Sequence, residues 1–160
     1  MGALMHIFHV EDDQNDVLLL EAVIRQSKLP LRFQTIRCGA EAAKQLASLA
    51  GTSSQLPDLF LLDIKVPNVT GLELLKQIRN TAAFNAIPAV MLTTSNHHSD
   101  IQAARQLHAN AYMVKPTSID ELREFLTTLY ADFTASRIPS FWPDELAGST
   151  VHLPLTCQVN

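Results

Sequence analysis

Short apolar runs alternate with longer stretches of helical spacing from Leu4 to Phe133, and this alternation limits the folds open to the chain. The strand-like runs are about Leu4 to Val10, Leu31 to Ile36, Leu59 to Asp63, Ala89 to Thr93 (entered through Pro88) and Ala111 to Val114. Helical segments lie between them. The first runs from about Asn15 to Ser27, with Val17, Leu20, Val23 and Ile24 on one side. The second is Ala-rich, about Ala40 to Leu49, and ends near Gly51. The third follows Gly71, with Leu72, Leu75 and Ile78 at helical spacing. Capping boxes are expected at the start of the fourth, Ser99 with Gln102, and of the fifth, Ser118 with Glu121. The fifth carries a stripe of Ile119, Leu122, Leu126, Leu129 and Phe133. Alternating βα units predict a parallel sheet covered by helices on both faces, wound by right-handed crossovers.

In such sheets the ligand site lies beyond the carboxyl ends of the strands. Glu11, Asp12, Asp63, Thr93 and Lys115 all fall there. Asp63 ends the apolar run Leu59-Phe60-Leu61-Leu62, and a carboxylate so placed is unfavourable unless something nearby pairs or reacts with it. Three clustered carboxylates repel one another, and a hard divalent cation such as Mg²⁺ relieves that repulsion with oxygen ligands. The Pro67/Gly71 turn can aim a backbone carbonyl, that of Lys65, toward the same ion. Asp12 or Asp13 can equally cap the first helix. For either residue alone the cap is the simpler reading; for the ensemble the metal is. A carboxylate can attack phosphorus to form an acyl phosphate, a transfer that needs positioning and charge neutralisation more than acid–base work. Lys115 offers an ammonium and Thr93 a hydroxyl for phosphoryl oxygens; taken singly, each reads as an ordinary surface lysine and strand residue.

Net charge is −4 and no Lys/Arg cluster is present, so nucleic-acid binding is not expected. No apolar run approaches the ~20 residues of a membrane span, and the N-terminus lacks the basic flank of a signal peptide. Cys38 and Cys157 match no metal spacing and read as reduced thiols, which together point to the cytoplasm. His6 and His9, in the first strand, read as satisfied core or edge histidines, and His97-His98 as part of the loop before the fourth helix.

Val10-Glu11-Asp12, Leu61-Leu62-Asp63 with Pro67 and Gly71, Ile87-Pro88 through Leu92-Thr93, and Tyr112-Met113-Val114-Lys115-Pro116 resemble the receiver domain of two-component response regulators, in order and spacing, over about Leu4 to Phe133. The resemblance implies a flavodoxin-like doubly wound (βα)5 fold with strand order 2-1-3-4-5. It implies Asp63 as phosphoacceptor from a phosphohistidine on a sensor histidine kinase. Glu11, Asp12 and the Lys65 carbonyl would join Asp63 around Mg²⁺, with Thr93 and Lys115 gripping the phosphoryl group. Tyr112 matches the aromatic that moves inward with Thr93, and Lys115-Pro116 is expected to be cis. Asp13 lengthens the acidic cluster by one, so the metal pair can shift in register. Lys65 and Ser95 occupy the family's variable positions beside the path of hydrolytic water, and Lys65 is expected to shield the acyl phosphate.

Residues 1–133 are therefore read as the receiver and 134–160 as a tail with Pro139, Phe141-Trp142, Pro143 and Pro154, too short for a DNA-binding output domain. Output is expected through protein contact or phosphorelay. Phe125 and Tyr130 lie beyond the apolar stripe of the fifth helix and suggest a homodimer face built from helix four, strand five, helix five and the tail. The chain's size and tail are similar to stand-alone receivers paired with bacterial phytochrome kinases. Beyond self-catalysed phosphotransfer and autodephosphorylation no enzymatic activity is expected. The alternatives are a receiver-like scaffold that is never phosphorylated and an aspartate-nucleophile phosphatase; the latter places a second Asp where this chain has Lys65.

Overall fold

A computed structural model describes residues 2–52 and 55–143. The strands are β1 (Met5–Val10), β2 (Leu31–Ile36), β3 (Leu59–Leu62), β4 (Ala89–Thr93) and β5 (Ala111–Val114). The helices are α1 (Gln14–Ser27), α2 (Gly39–Ala50), α3 (Gly71–Arg79), α4 (His98–Gln106) and α5 (Ile119–Thr134), with a 3-10 turn at Ala82–Phe84. All strand pairs are parallel and their order is β2-β1-β3-β4-β5, the flavodoxin-like winding. Val10 pairs with Leu62 and Thr93 with Val114, so Glu11, Asp63 and Lys115 leave the sheet at one level.

Strand side chains alternate between the two faces and each face packs its own core. On one, Phe8, Val10, Phe60, Leu62 and Met91 meet Leu46, Leu74, Ile78 and Ala104 of α2, α3 and α4. On the other, Ile7, Leu59, Leu61 and Val90 meet Leu20 and Val23 of α1 and Leu122, Leu126 and Leu129 of α5. The near-continuous burial of β3 and β4 explains why they read as unbroken apolar runs. Beneath the loops, Arg79 donates to the carbonyls of Phe84, Ile87 and His108 and to Asn110 Oδ1 at 2.7 Å, tying α3 to the entries of β4 and β5.

Local signals were obeyed unevenly. Asp13 caps α1, accepting from the Asn15 and Asp16 N–H groups, and Ser118 caps α5, accepting from Glu121 N–H. Thr70 and Glu73 form a full capping box at α3 that was not expected from the sequence. The box expected at Ser99 and Gln102 does not form. His97 precedes α4 without a side-chain cap, and Ser99 lies exposed inside the first turn. Ser95 organises the helix start instead. Its hydroxyl donates to Asp100 and accepts from His97 N–H, and the helix begins one residue before Ser99.

Two further expectations are corrected. Phe125 is wholly buried rather than displayed on a dimer face, because α5 presents a broad apolar side to the sheet; Ile119, assigned to the stripe, is exposed instead. The Lys115–Pro116 peptide is trans, the isomer X–Pro bonds favour intrinsically by about 0.5–1 kcal/mol. Of the tail, residues 134–143 are described, Thr134 still within α5: Phe141 is buried in the α1/α5 core and Trp142 packs against the opposite one. Cys157, Pro154 and the rest of the tail from 144 lie outside the described residues.

Candidate phosphoacceptor and metal site

The site grows from the strand ends. Asp63 follows β3 directly, and its N–H donates to the Val10 carbonyl at 3.0 Å, extending the β1–β3 ladder by one bond. The chain then turns under α3. A Cβ on Gly71 would stand 2.0 Å from the Asp63 carbonyl oxygen, so only glycine admits this close return. Lys115 is fixed in the same way, its N–H donating to the Thr93 carbonyl at 2.8 Å.

The Lys115 ammonium lies among three carboxylates: 2.6 Å from Glu11 Oε2, 2.6 Å from Asp16 Oδ2 and 2.9 Å from Asp63 Oδ2. Glu11 and Asp63 are buried; Asp16 is partly open to solvent. Burial alone would lower the Lys115 pKa, but these three acceptors outweigh it and hold the ammonium above its ordinary range. Glu11 is pushed up to about 7, chiefly by burial and further by the Asp63 charge, against the lowering bonds from Lys115 and the Asp13 N–H. His9, at the floor of the pocket, is driven down to about 3 by burial and by the nearby Lys115 charge. It is a neutral imidazole sharing a hydrogen bond of 3.0 Å with the Thr35 hydroxyl, which bears out the reading of a satisfied core histidine.

Because Asp13 is used as the α1 cap, Asp12 remains for the pocket. Glu11, Asp12 and Asp63 each bring a carboxylate oxygen to within 4.8 Å of the others. That all-oxygen, anionic donor set suits a hard divalent cation. Thr93 is buried, and its hydroxyl accepts the Ser95 N–H at 3.3 Å. Tyr112 is completely buried, its hydroxyl donating to the Ser95 carbonyl at 2.8 Å, and burial raises its pKa to about 12. Lys65 is exposed, with its N–H 3.3 Å from Asp63 Oδ1. The structure thus gathers Glu11, Asp12, Asp63 and Lys115 around one point, with the Lys65 N–H beside Asp63; Thr93 is linked through Ser95 to Tyr112, which lies in the core. Asp16 was missed; its position three residues after the Asp13 cap, in the first turn facing the strand ends, is the signal that marks it. Ser95, noted only as a variable position, organises the loop between Thr93 and α4.

The profile of the response regulator receiver domain matches residues 7–127. The chain belongs to this family. It is 32% identical over 136 residues to a probable methanogenesis regulatory protein, FilR2, of Methanothrix harundinacea, covering 85% of this chain and 82% of that one. It is 31% identical over 149 residues to the response regulator Rcp1 of Synechocystis sp., covering 92% of each. Among solved structures, the phosphorylated cyanobacterial phytochrome response regulator RcpA superposes with a TM-score of 0.71 at 30% identity, over 93% of this chain and 99% of that one. The Mn²⁺-bound form of Rcp1 gives 0.70 at 28% identity, over 85% and 99%. Accepting a phosphoryl group and binding Mg²⁺ or Mn²⁺ at an acidic pocket are general to receiver domains, and this chain has an acidic cluster of Glu11, Asp12 and Asp63 at its strand ends.

Proposed function

We propose that this chain is a response regulator of the Rcp1 type that takes a phosphoryl group onto Asp63 from a phosphohistidine of a sensor histidine kinase. The observation that carries this reading is the Asp63 carboxylate at the strand ends, 2.9 Å from the Lys115 ammonium and inside the three-carboxylate cluster. An Asp63 oxygen attacks phosphorus; the new P–O bond forms as the P–N bond to the kinase imidazole breaks, and the imidazole leaves with the bonding pair. Lys115 turns one N–H to a phosphoryl oxygen, and the Thr93 hydroxyl, which accepts from the Ser95 N–H, donates its own hydrogen to another. Glu11, Asp12, Asp63 and the Lys65 carbonyl would hold Mg²⁺, which when bound supplies positive charge to the phosphoryl oxygens. Lys65, exposed beside Asp63, screens the acyl phosphate from water.

Similarity to Rcp1 and RcpA over nearly the whole chain favours a phytochrome-type kinase as donor. Phosphorylation then biases Thr93 and Tyr112, and through them α4, β5 and α5, toward protein contact or relay. The partner surface is a homodimer face of α4, β5, α5 and the tail; neither of the residues that suggested it is displayed there, since Phe125 is buried and Tyr130 is half-buried on the α1/α5 core with its hydroxyl donating to the Ala3 carbonyl. No helix among the described residues is long and apolar enough to cross a membrane, in keeping with a cytoplasmic site of action. Neither a permanent scaffold nor an aspartate-nucleophile phosphatase fits as well: a scaffold has no use for the Lys115-centred cluster, and Lys65 stands where the phosphatase needs its second Asp.

Label transfer from an autophosphorylated phytochrome-type kinase tests the reading. Label is expected on the wild-type chain and not on Asp63→Asn. Equal labelling by kinases of unrelated input would remove the phytochrome assignment, and none by any kinase would remove the regulator reading. Sedimentation with and without residues 134–160 tests the dimer, which an unchanged monomer would exclude.

A further inference from the structure

The segment after α5 is bound to the sheet edge more closely than a connecting tail requires. The chain turns at Ser136, with φ 54, and Pro139–Pro143 returns across β5. Pro139, Phe141 and Pro143 are buried. The Tyr112 N–H donates to the Phe141 carbonyl at 2.8 Å, so the strap accepts a bond that the outer side of β5 would otherwise give to water. Consecutive side chains pass to opposite faces. Phe141 meets Phe125 edge-to-face at 5.8 Å in the α1/α5 core. Trp142 lies on the other face, stacked on the Tyr112 ring at 6.2 Å and 25°. The Arg105 guanidinium of α4 sits 4.7 Å from the Trp142 ring centroid.

Covering an open strand edge explains Phe141 and the backbone bond. It does not explain why the chain's single tryptophan closes over Tyr112. Tyr112 is the side chain that reads the loop after Thr93: its hydroxyl bonds the Ser95 carbonyl, and the Ser95 N–H bonds the Thr93 hydroxyl. A run of contacts therefore leads from Thr93 through Ser95 and Tyr112 to Trp142 and on to Arg105 of α4. An outward Tyr112 ring would lose both the Ser95 bond and the Trp142 stack.

We propose that Trp142 is a third member of the Thr93–Tyr112 pair: the docked strap closes over the Tyr112 ring and holds it inward, so that strap docking and phosphoryl occupancy of Asp63 favour one another. This rests on the reading of Asp63, Thr93 and Tyr112 given under Proposed function. By reciprocity, the docked strap raises phosphoryl affinity by the same factor by which the phosphoryl group favours docking. Trp142 is a positioning residue, remote from the reacting atoms.

The full-length chain with Mg²⁺ and beryllium fluoride, a phosphoryl mimic, tests the proposal through the 19F signal of bound fluoride. Trp142→Ala is expected to weaken fluoride binding at least about 5-fold, the lower end for coupled sites. Mg²⁺ affinity without fluoride should stay unchanged, which general damage to the pocket would not allow. Trp142→Phe should restore most of the loss. In a Tyr112→Ala background Trp142→Ala should have no further effect. Should Trp142→Ala not fold, Trp142→Leu keeps the apolar bulk and loses the stack, and serves in the same comparisons. Equal fluoride affinity in wild type and variant, or an equal loss with Tyr112 already removed, overturns the inference and leaves Asp63 as phosphoacceptor. A wild-type chain that binds Mg²⁺ but no fluoride overturns the phosphoacceptor reading first, and this inference with it.

Discussion

Replacing Lys115 with Met removes the ammonium held among Glu11, Asp16 and Asp63 while keeping much of the side chain's length. Two of those carboxylates, Glu11 and Asp63, are almost wholly excluded from solvent. Removing one partner of a buried ion pair leaves an uncompensated charge and typically costs about 3–5 kcal/mol. Here the loss falls at the low end, about 3 kcal/mol, because Glu11 already titrates near 7 and can take up a proton instead. For a domain of this size that lowers Tm by roughly 6–12 °C. The same substitution leaves a more anionic pocket, so Mg²⁺ should bind it more tightly than wild type, where the ion must displace the ammonium. At a free concentration about 100 times its Kd the ion restores about 2.7 kcal/mol. Urea unfolding of both proteins at pH 8, with EDTA and with saturating Mg²⁺, measures each quantity. The expected result is a large deficit in EDTA that narrows in Mg²⁺, because the variant gains more from the ion than wild type does. Equal stabilisation of both proteins by Mg²⁺ would show that Lys115 and the ion do not share the carboxylates, and would refute the reasoning.

Three other outcomes follow from particular contacts. His9 titrates near 6.5 when unfolded and near 3 when buried, so acid favours the unfolded chain: stability from this group is lost as pH falls below 6.5 and is gone near 3. Glu11, raised from 4.5, acts in the opposite sense between 4.5 and 7, so the His9 slope stands clear only below pH 4.5, where unfolding of His9→Gln should depend less on pH than wild type. Lys65→Ala should lose its phosphate faster after removal of phosphodonor, followed by intact mass; an unchanged half-life would end the shielding role. Arg79→Met forfeits four hydrogen bonds to loop carbonyls and Asn110 and should cost about 2–4 kcal/mol in urea unfolding, with the phosphorylation rate of the folded fraction unchanged.

The strands were legible because a parallel sheet buried on both faces demands unbroken apolar runs, as in Leu59–Leu62 and Ala89–Thr93. The pocket was legible because its residues end those runs. What escaped depends on neighbours distant in sequence or on contacts that no local pattern ranks. Ser99 and Gln102 have cap spacing, but Ser95 wins the start of α4 through its bond to Asp100. Asp13 and Asp12 were interchangeable until the helix start assigned one to the cap. Phe125 looked surplus on α5 because the strap that supplies its partner, Phe141, follows a turn whose course the sequence does not encode in any periodic signal.

Intact mass after incubation with acetyl phosphate and Mg²⁺ bears most directly on Asp63. One phosphoryl adduct on the wild-type chain, dependent on Mg²⁺ and absent from Asp63→Asn, is the predicted result. An unmodified wild-type chain, an adduct that survives Asp63→Asn, or steady turnover of free phosphoesters would contradict it.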